Sequence, residues 1–113
     1  MIINNDITGC AIVSPNFNNR RITVSNAEEF KKELFKVLDN NYLNLILNLK
    51  DIDIIDSTGL GVIITSYNRA QNRNCKFKLC NLSNAVANLL HMTKLDQALD
   101  IYSSVDEAVA SIK

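Results

Sequence analysis

The chain has 113 residues, enough for one compact domain and too few for a catalytic domain beside a separate regulatory one. Hydrophobic residues make up 47% and charged residues 21%, so the composition supports a buried core. Twelve Lys and Arg balance twelve Asp and Glu, and a net charge of zero argues against nucleic acid or an anionic membrane surface as the partner. The opening Met1-Ile2-Ile3-Asn4-Asn5-Asp6 lacks the positive region and apolar stretch of a signal peptide. No apolar run approaches the roughly 20 residues that cross a bilayer, and a soluble cytoplasmic protein is expected. The cysteines Cys10, Cys75 and Cys80 are odd in number and form no Cys-x-x-Cys pair. They are expected as reduced thiols packed as small hydrophobes, with neither a disulfide framework nor a zinc knuckle.

Between Ile2 and Val13, β-branched residues interrupted by the turn-like Asp6-Ile7-Thr8-Gly9 predict one or two short strands that end at Ser14-Pro15. From Ala27 the period changes. Ala27, Phe30, Leu34, Val37 and Leu38 recur at helical spacing, Ser25 with Glu28 forms a capping-box pattern that would start the helix, and Asn40-Asn41 would end it. Leu43, Leu45, Ile46, Leu47 and Leu49 then make a nearly unbroken apolar run, as in a central strand covered on both faces. After Asp56 the helical period returns in Leu60, Ile63, Ile64, Tyr67 and Ala70, closing at 72–74. Cys75 to Leu79 alternates as a strand with one wetter face. Ser83 would cap a short helix carrying Val86, Leu89 and Leu90. Leu99, Ile101 and Tyr102 read as a last strand, and Ser104 with Glu107 repeats the capping box before a final helix. Such alternation predicts an α/β fold, a largely parallel or mixed sheet with right-handed crossovers.

The stretch from Asp51 to Gly61 lies after the buried strand and opens a helix, where ligands and partners meet an open α/β sheet. Asp56, Ser57 or Thr58 could each cap that helix, whose first N–H groups carry about half a positive charge. Gly59 and Gly61 remove side chains and would let another molecule approach closely. Enzyme readings fit poorly. Asp51-Ile52-Asp53 is faintly similar to the nucleophile and acid of an aspartate-dependent phosphatase, but Lys50 and Ile54-Ile55 do not suit that pattern. Ile55 occupies the place where a nucleophile elbow around Ser57 would need glycine. Gly59-x-Gly61 lacks the rest of a phosphate loop. The sole histidine, His91, has no nearby carboxylate or cysteine at ligand spacing and is expected to be structural. No enzyme, cofactor or metal is expected.

The hexapeptide Asp56-Ser57-Thr58-Gly59-Leu60-Gly61, after a Leu-rich strand and before Val62-Ile63-Ile64, resembles the signature of the anti-sigma factor antagonist family, the bacterial STAS domain. The run Val86 to Leu95, then Ile101-Tyr102 and Glu107-Ala108, is similar to that family's C-terminal pattern. The resemblance implies a single STAS domain over residues 1–113, a mixed four- to five-stranded sheet against about four helices, without catalysis. It implies Ser57 as the phosphorylation site of an anti-sigma factor with serine kinase activity, reversed by a serine phosphatase. The unmodified form would bind the anti-sigma factor through Asp56, Thr58, Gly59, Leu60 and Gly61, freeing the sigma factor. A STAS-like scaffold subunit of a transport or signalling assembly is the alternative. Where the family often carries an acidic residue before the first long helix, this chain has Arg20-Arg21-Ile22-Thr23, a pair of arginines that would bind an acidic partner or a phosphate, or be solvated.

Overall fold

The computed structural model describes residues 2–4 and 9–112. In chain order the elements are β1 (Ile2–Asn4), β2 (Cys10–Ser14), β3 (Arg21–Ile22), α1 (Ala27–Leu38), β4 (Asn44–Asn48), β5 (Ile54–Ile55), α2 (Ser57–Asn72), β6 (Lys76–Cys80), α3 (Asn84–Met92), a 3-10 turn at Leu95–Gln97, β7 (Asp100–Tyr102) and α4 (Val105–Ala110). The main sheet has the order β1-β2-β4-β6-β7, with β1 antiparallel to β2 and the other neighbours parallel. This is the expected mixed α/β sheet with four α-helices among the described residues. The expected turn at 6–8 lies outside the described residues.

Strand parity separates two cores. Ala11 and Val13 of β2, Leu45 and Leu47 of β4, and Phe77 and Leu79 of β6 face one side, where Phe30 and Leu34 of α1, Ile63 of α2 and Leu90 of α3 cover them. Cys10, Ile46 and Cys80 face the other side, under Ala108 of α4. Strand β4 is therefore buried on both faces, as its apolar run predicts, and each fully buried leucine there contributes about 2 kcal/mol.

Several local expectations are corrected. Leu43 lies outside β4 and is 65% exposed, although its backbone is engaged: its N–H donates to Gly9 and its carbonyl accepts from Lys76. Strand β6 has no wet face beyond its first residue. The Lys78 side chain is covered, with Nζ 3.4 Å from the Tyr102 hydroxyl, 5.2 Å from the centre of its ring and 3.7 Å from an Asp100 carboxylate oxygen. Ser25 does not cap α1. Asn26 holds the N-cap position without a side-chain cap bond, because its Oδ1 turns back to accept from Thr23 N–H and its Nδ2 donates to the Arg21 carbonyl. By contrast Ser83 caps α3 through Val86 N–H, and Ser104 caps α4 through Glu107 N–H. The Glu107 carboxylate closes its box one residue early, on Ser103.

The periodicity did not predict a second, two-stranded parallel sheet, in which Arg21 aligns with Ile54 and Ile22 with Ile55. It lies between the main sheet's connections and forms the ledge from which α2 starts.

Candidate functional site at the start of the second long helix

Strand β5 delivers the chain to Asp56 in an extended conformation (φ −88°, ψ −177°), and Asp56 N–H donates to the Ile22 carbonyl at 3.0 Å. Of the three candidate caps, Asp56 is the one used: Oδ1 accepts from Gly59 N–H at 2.9 Å. Its Oδ2 accepts from Val24 N–H, in the turn between β3 and α1, at 3.1 Å. Ser57 and Thr58 follow on the first turn, both exposed. No acidic residue lies in that turn, so Asp56 alone offsets the positive end of the helix dipole there.

The six signature residues do not share one surface. Gly59 and Leu60 are buried. A Cβ on Gly59 would lie 2.7 Å from Ile55 Cγ2, 2.8 Å from Ile22 Cγ2 and 2.9 Å from the Ile22 carbonyl oxygen. The glycine at 59 therefore serves the seating of α2 on the small sheet, and corrects the expectation that it makes room for another molecule. Gly61 is the open one, with nothing within 4 Å of a built Cβ. It lines a groove of about 400 Å3 between α1 and α2 with Thr58, Val24, Glu28, Lys31 and Thr65. Val24 and the α1 charges were not among the residues expected at the site. An apolar residue between Thr23 and Ser25, in a segment that should be a polar cap, was the available signal.

Arg20 engages the carboxylates that precede the helix. Its guanidinium grips Asp53 through two bonds at 3.0 and 3.1 Å, donates to the Lys50 carbonyl at 3.2 Å and lies 3.7 Å from Asp51. The hydrogen bond from Arg20 holds the Asp53 carboxyl below its ordinary range. Arg20 is thus engaged within the chain, while Arg21 stays exposed on β3. His91 is not alone, contrary to expectation: its Nδ1 lies 2.9 Å from Asp96 Oδ2, across the end of α3, where the 3-10 turn brings the carboxylate back. The three thiols are buried, and burial pushes Cys80 up to about 11.

A second cleft of about 710 Å3 opens at the carboxyl ends of β4, β6 and β7. Three of its polar side chains are already committed: Asn81 Nδ2 to Asn48, Ser83 Oγ to the Asp53 carbonyl and Ser103 Oγ to Glu107. Among the described residues, no three His, Cys, Asp or Glu side chains are grouped to hold a metal ion, and no helix is long and apolar enough to cross a membrane.

The family model for the STAS domain matches residues 8–108. The chain belongs to the STAS domain family. Relatives of this STAS domain are named as anti-sigma factor antagonists. The anti-sigma-B factor antagonist of Bacillus subtilis is 30% identical over 88 residues, covering 78% of this chain and 80% of that protein. A Thermotoga maritima protein whose provisional name is anti-sigma factor antagonist is 31% identical over 96 residues, 84% of this chain and 85% of its own. That protein's crystal structure, at 30% identity, superposes with a TM-score of 0.84 over 93% of this chain and 88% of that one. The fold recurs at 15% identity in a STAS domain protein from Planctomyces limnophilus, with a TM-score of 0.88 over 99% and 96% of the two chains.

Proposed function

We propose that this single STAS domain is a cytoplasmic anti-sigma factor antagonist, a non-enzymatic binding module switched by phosphorylation of Ser57. The observation that carries the reading is the exposed Ser57 on the first turn of α2, beside the α1–α2 groove, in a chain whose relatives are named for this role. The unmodified form docks an anti-sigma factor with serine kinase activity on Ser57, Thr58, Gly61 and the cap residue Asp56, and so frees the sigma factor. Gly59 and Leu60 support this surface from below. Phosphate on Ser57 adds about 1.5 to 2 negative charges next to Asp56. The helix N-terminus holds part of that charge. The partner meets both repulsion and lost shape complementarity, and a serine phosphatase reverses the block.

The test is incubation with ATP and the small histidine-kinase-like ATPase of the same genome, followed by mass spectrometry. Wild type gains one phosphate on the peptide holding Ser57, and Ser57→Ala gains none. Equal modification of Ser57→Ala refutes the site. Ser57→Asp binds the kinase more weakly than wild type does, and recovery of transporter subunits with no kinase replaces the switch with a scaffold role.

A further inference from the structure

A helix N-cap needs one acceptor, which Ser, Thr, Asn or Asp can each supply. Position 56 uses two. Oδ1 accepts from Gly59 N–H at 2.9 Å, and Oδ2 accepts from Val24 N–H, 32 residues earlier in the chain, at 3.1 Å. Among the cap residues only a carboxylate accepts with two oxygens at once. The segment it holds is already braced internally. Asn26 Oδ1 accepts from Thr23 N–H at 2.9 Å, the Thr23 and Ser25 hydroxyls meet at 2.9 Å, and Asn26 N–H donates to the Thr23 carbonyl at 3.1 Å. A turn stiffened in this way moves as a unit, and the second oxygen of Asp56 fastens it to the start of α2. The turn carries Val24, which is 75% exposed and lines the same groove as Thr58 and Gly61.

We infer that Asp56 is a positioning residue: one carboxylate oxygen caps α2 while the other fixes Val24 as a preset apolar contact beside Ser57. The inference rests on the docking surface of the proposed function and moves Asp56 from contacting the partner to arranging what the partner touches. Holding an apolar side chain in place before binding lowers the ordering cost of association. The occupant is the anti-sigma kinase, and an apolar residue of that kinase covers Val24.

Asp56→Asn separates the two tasks. Its Oδ1 still accepts from Gly59 N–H, while its NH2 group now faces the Val24 N–H, a donor against a donor. Amide hydrogen exchange followed by NMR on the free protein reads the two bonds individually. Val24 N–H exchanges about tenfold or more faster in Asp56→Asn while Gly59 N–H holds its wild-type rate. Acceleration at Gly59 N–H alone, with the amide turned to give its oxygen to Val24, supports the shared carboxylate equally, whereas unchanged rates or parallel acceleration at both amides overturn the latch. Binding to the purified histidine-kinase-like ATPase supplies the second reading. Asp56→Asn and Val24→Ser each weaken binding about tenfold, and the double variant is no weaker than the poorer single one. Wild-type affinity in Asp56→Asn with Val24 N–H released, or losses that add, refutes the positioning role. Failure of the wild-type chain to bind that kinase refutes the proposed function and the role of Val24 with it, while the exchange rates decide separately whether the latch exists.

Discussion

Gly59 and Gly61 stand two residues apart on α2, so they point to opposite sides of the helix, and alanine at the two positions has opposite effects. At position 59 the new methyl group meets Ile55 Cγ2 at 2.7 Å, Ile22 Cγ2 at 2.8 Å and the Ile22 carbonyl oxygen at 2.9 Å. The carbonyl belongs to the β3 backbone and cannot rotate away, which places the strain near the top of the usual overpacking range, about 3 kcal/mol. The better helix propensity of alanine returns about 1 kcal/mol, leaving Gly59→Ala destabilised by about 2 kcal/mol. At position 61 nothing lies within 4 Å, so Gly61→Ala keeps the propensity gain, about 0.4 to 1 kcal/mol of stabilisation. For a chain of this length the shifts correspond to Tm about 8 °C lower for Gly59→Ala and about 3 °C higher for Gly61→Ala. Urea unfolding followed by far-UV circular dichroism measures both, with equal m-values as the control. A Gly59→Ala variant as stable as wild type, or two variants that shift in the same direction, refutes the assignment of one glycine to internal seating and the other to the open groove. The more stable variant also places a methyl group in the groove, so under the proposed function it binds the anti-sigma kinase less well than wild type.

Two further outcomes follow from the electrostatics. In NMR titration the Asp53 carboxyl of the wild type titrates below the ordinary aspartate range, and in Arg20→Gln its midpoint rises toward that range. Because the folded-state value is the lower one, the pair's contribution is complete above the unfolded-state pKa and disappears as pH falls through the folded-state value. Wild type therefore loses more stability than Arg20→Gln on acidification below about pH 4, and parallel losses in the two proteins contradict the clamp. The buried thiols Cys10, Cys75 and Cys80, all pushed up by burial, stay unreactive to Ellman's reagent in the native protein and titrate together in urea. Prompt reaction of any one of them in the native state refutes its burial.

The main sheet was legible because its signals are long and redundant. Five consecutive buried residues from Leu45 to Leu49 mark a central strand, and Ser83 and Ser104 cap helices whose apolar faces are visible at helical spacing. Strands β3 and β5, at two residues each, are too short to carry a period, and their pairing is non-local. The choice between Ser25 and Asn26 at the start of α1 turned on competition for Thr23 N–H, a contact that a capping-box pattern does not contain. Likewise His91 met Asp96 only because the chain folds back at Leu95–Gln97. At the site, the segment Asp56–Gly61 was recognisable, but its division into supporting and exposed residues was not drawn. Helical phase alone would have set Gly59 and Gly61 on opposite sides. Val24 was missed for a different reason: its apolar side chain was readable among polar neighbours, but it is tied to the site by a backbone bond from a distant turn.

The ledge under α2 joins residues 33 positions apart, Arg21 with Ile54, and α1 and β4 lie between them. Closing a loop of that length costs entropy that two paired positions repay poorly, whereas the equally non-local pairing of β2 with β4 repays it over four. Substitutions at Ile22, Ile55 and Gly59 accordingly speed unfolding much more than they slow folding. The first turn of α2, which carries Ser57, is then among the last parts of the protein to take shape. A newly made chain presents Ser57 on that turn only once the rest of the domain is in place, so under the proposed function partly folded copies do not compete for the partner.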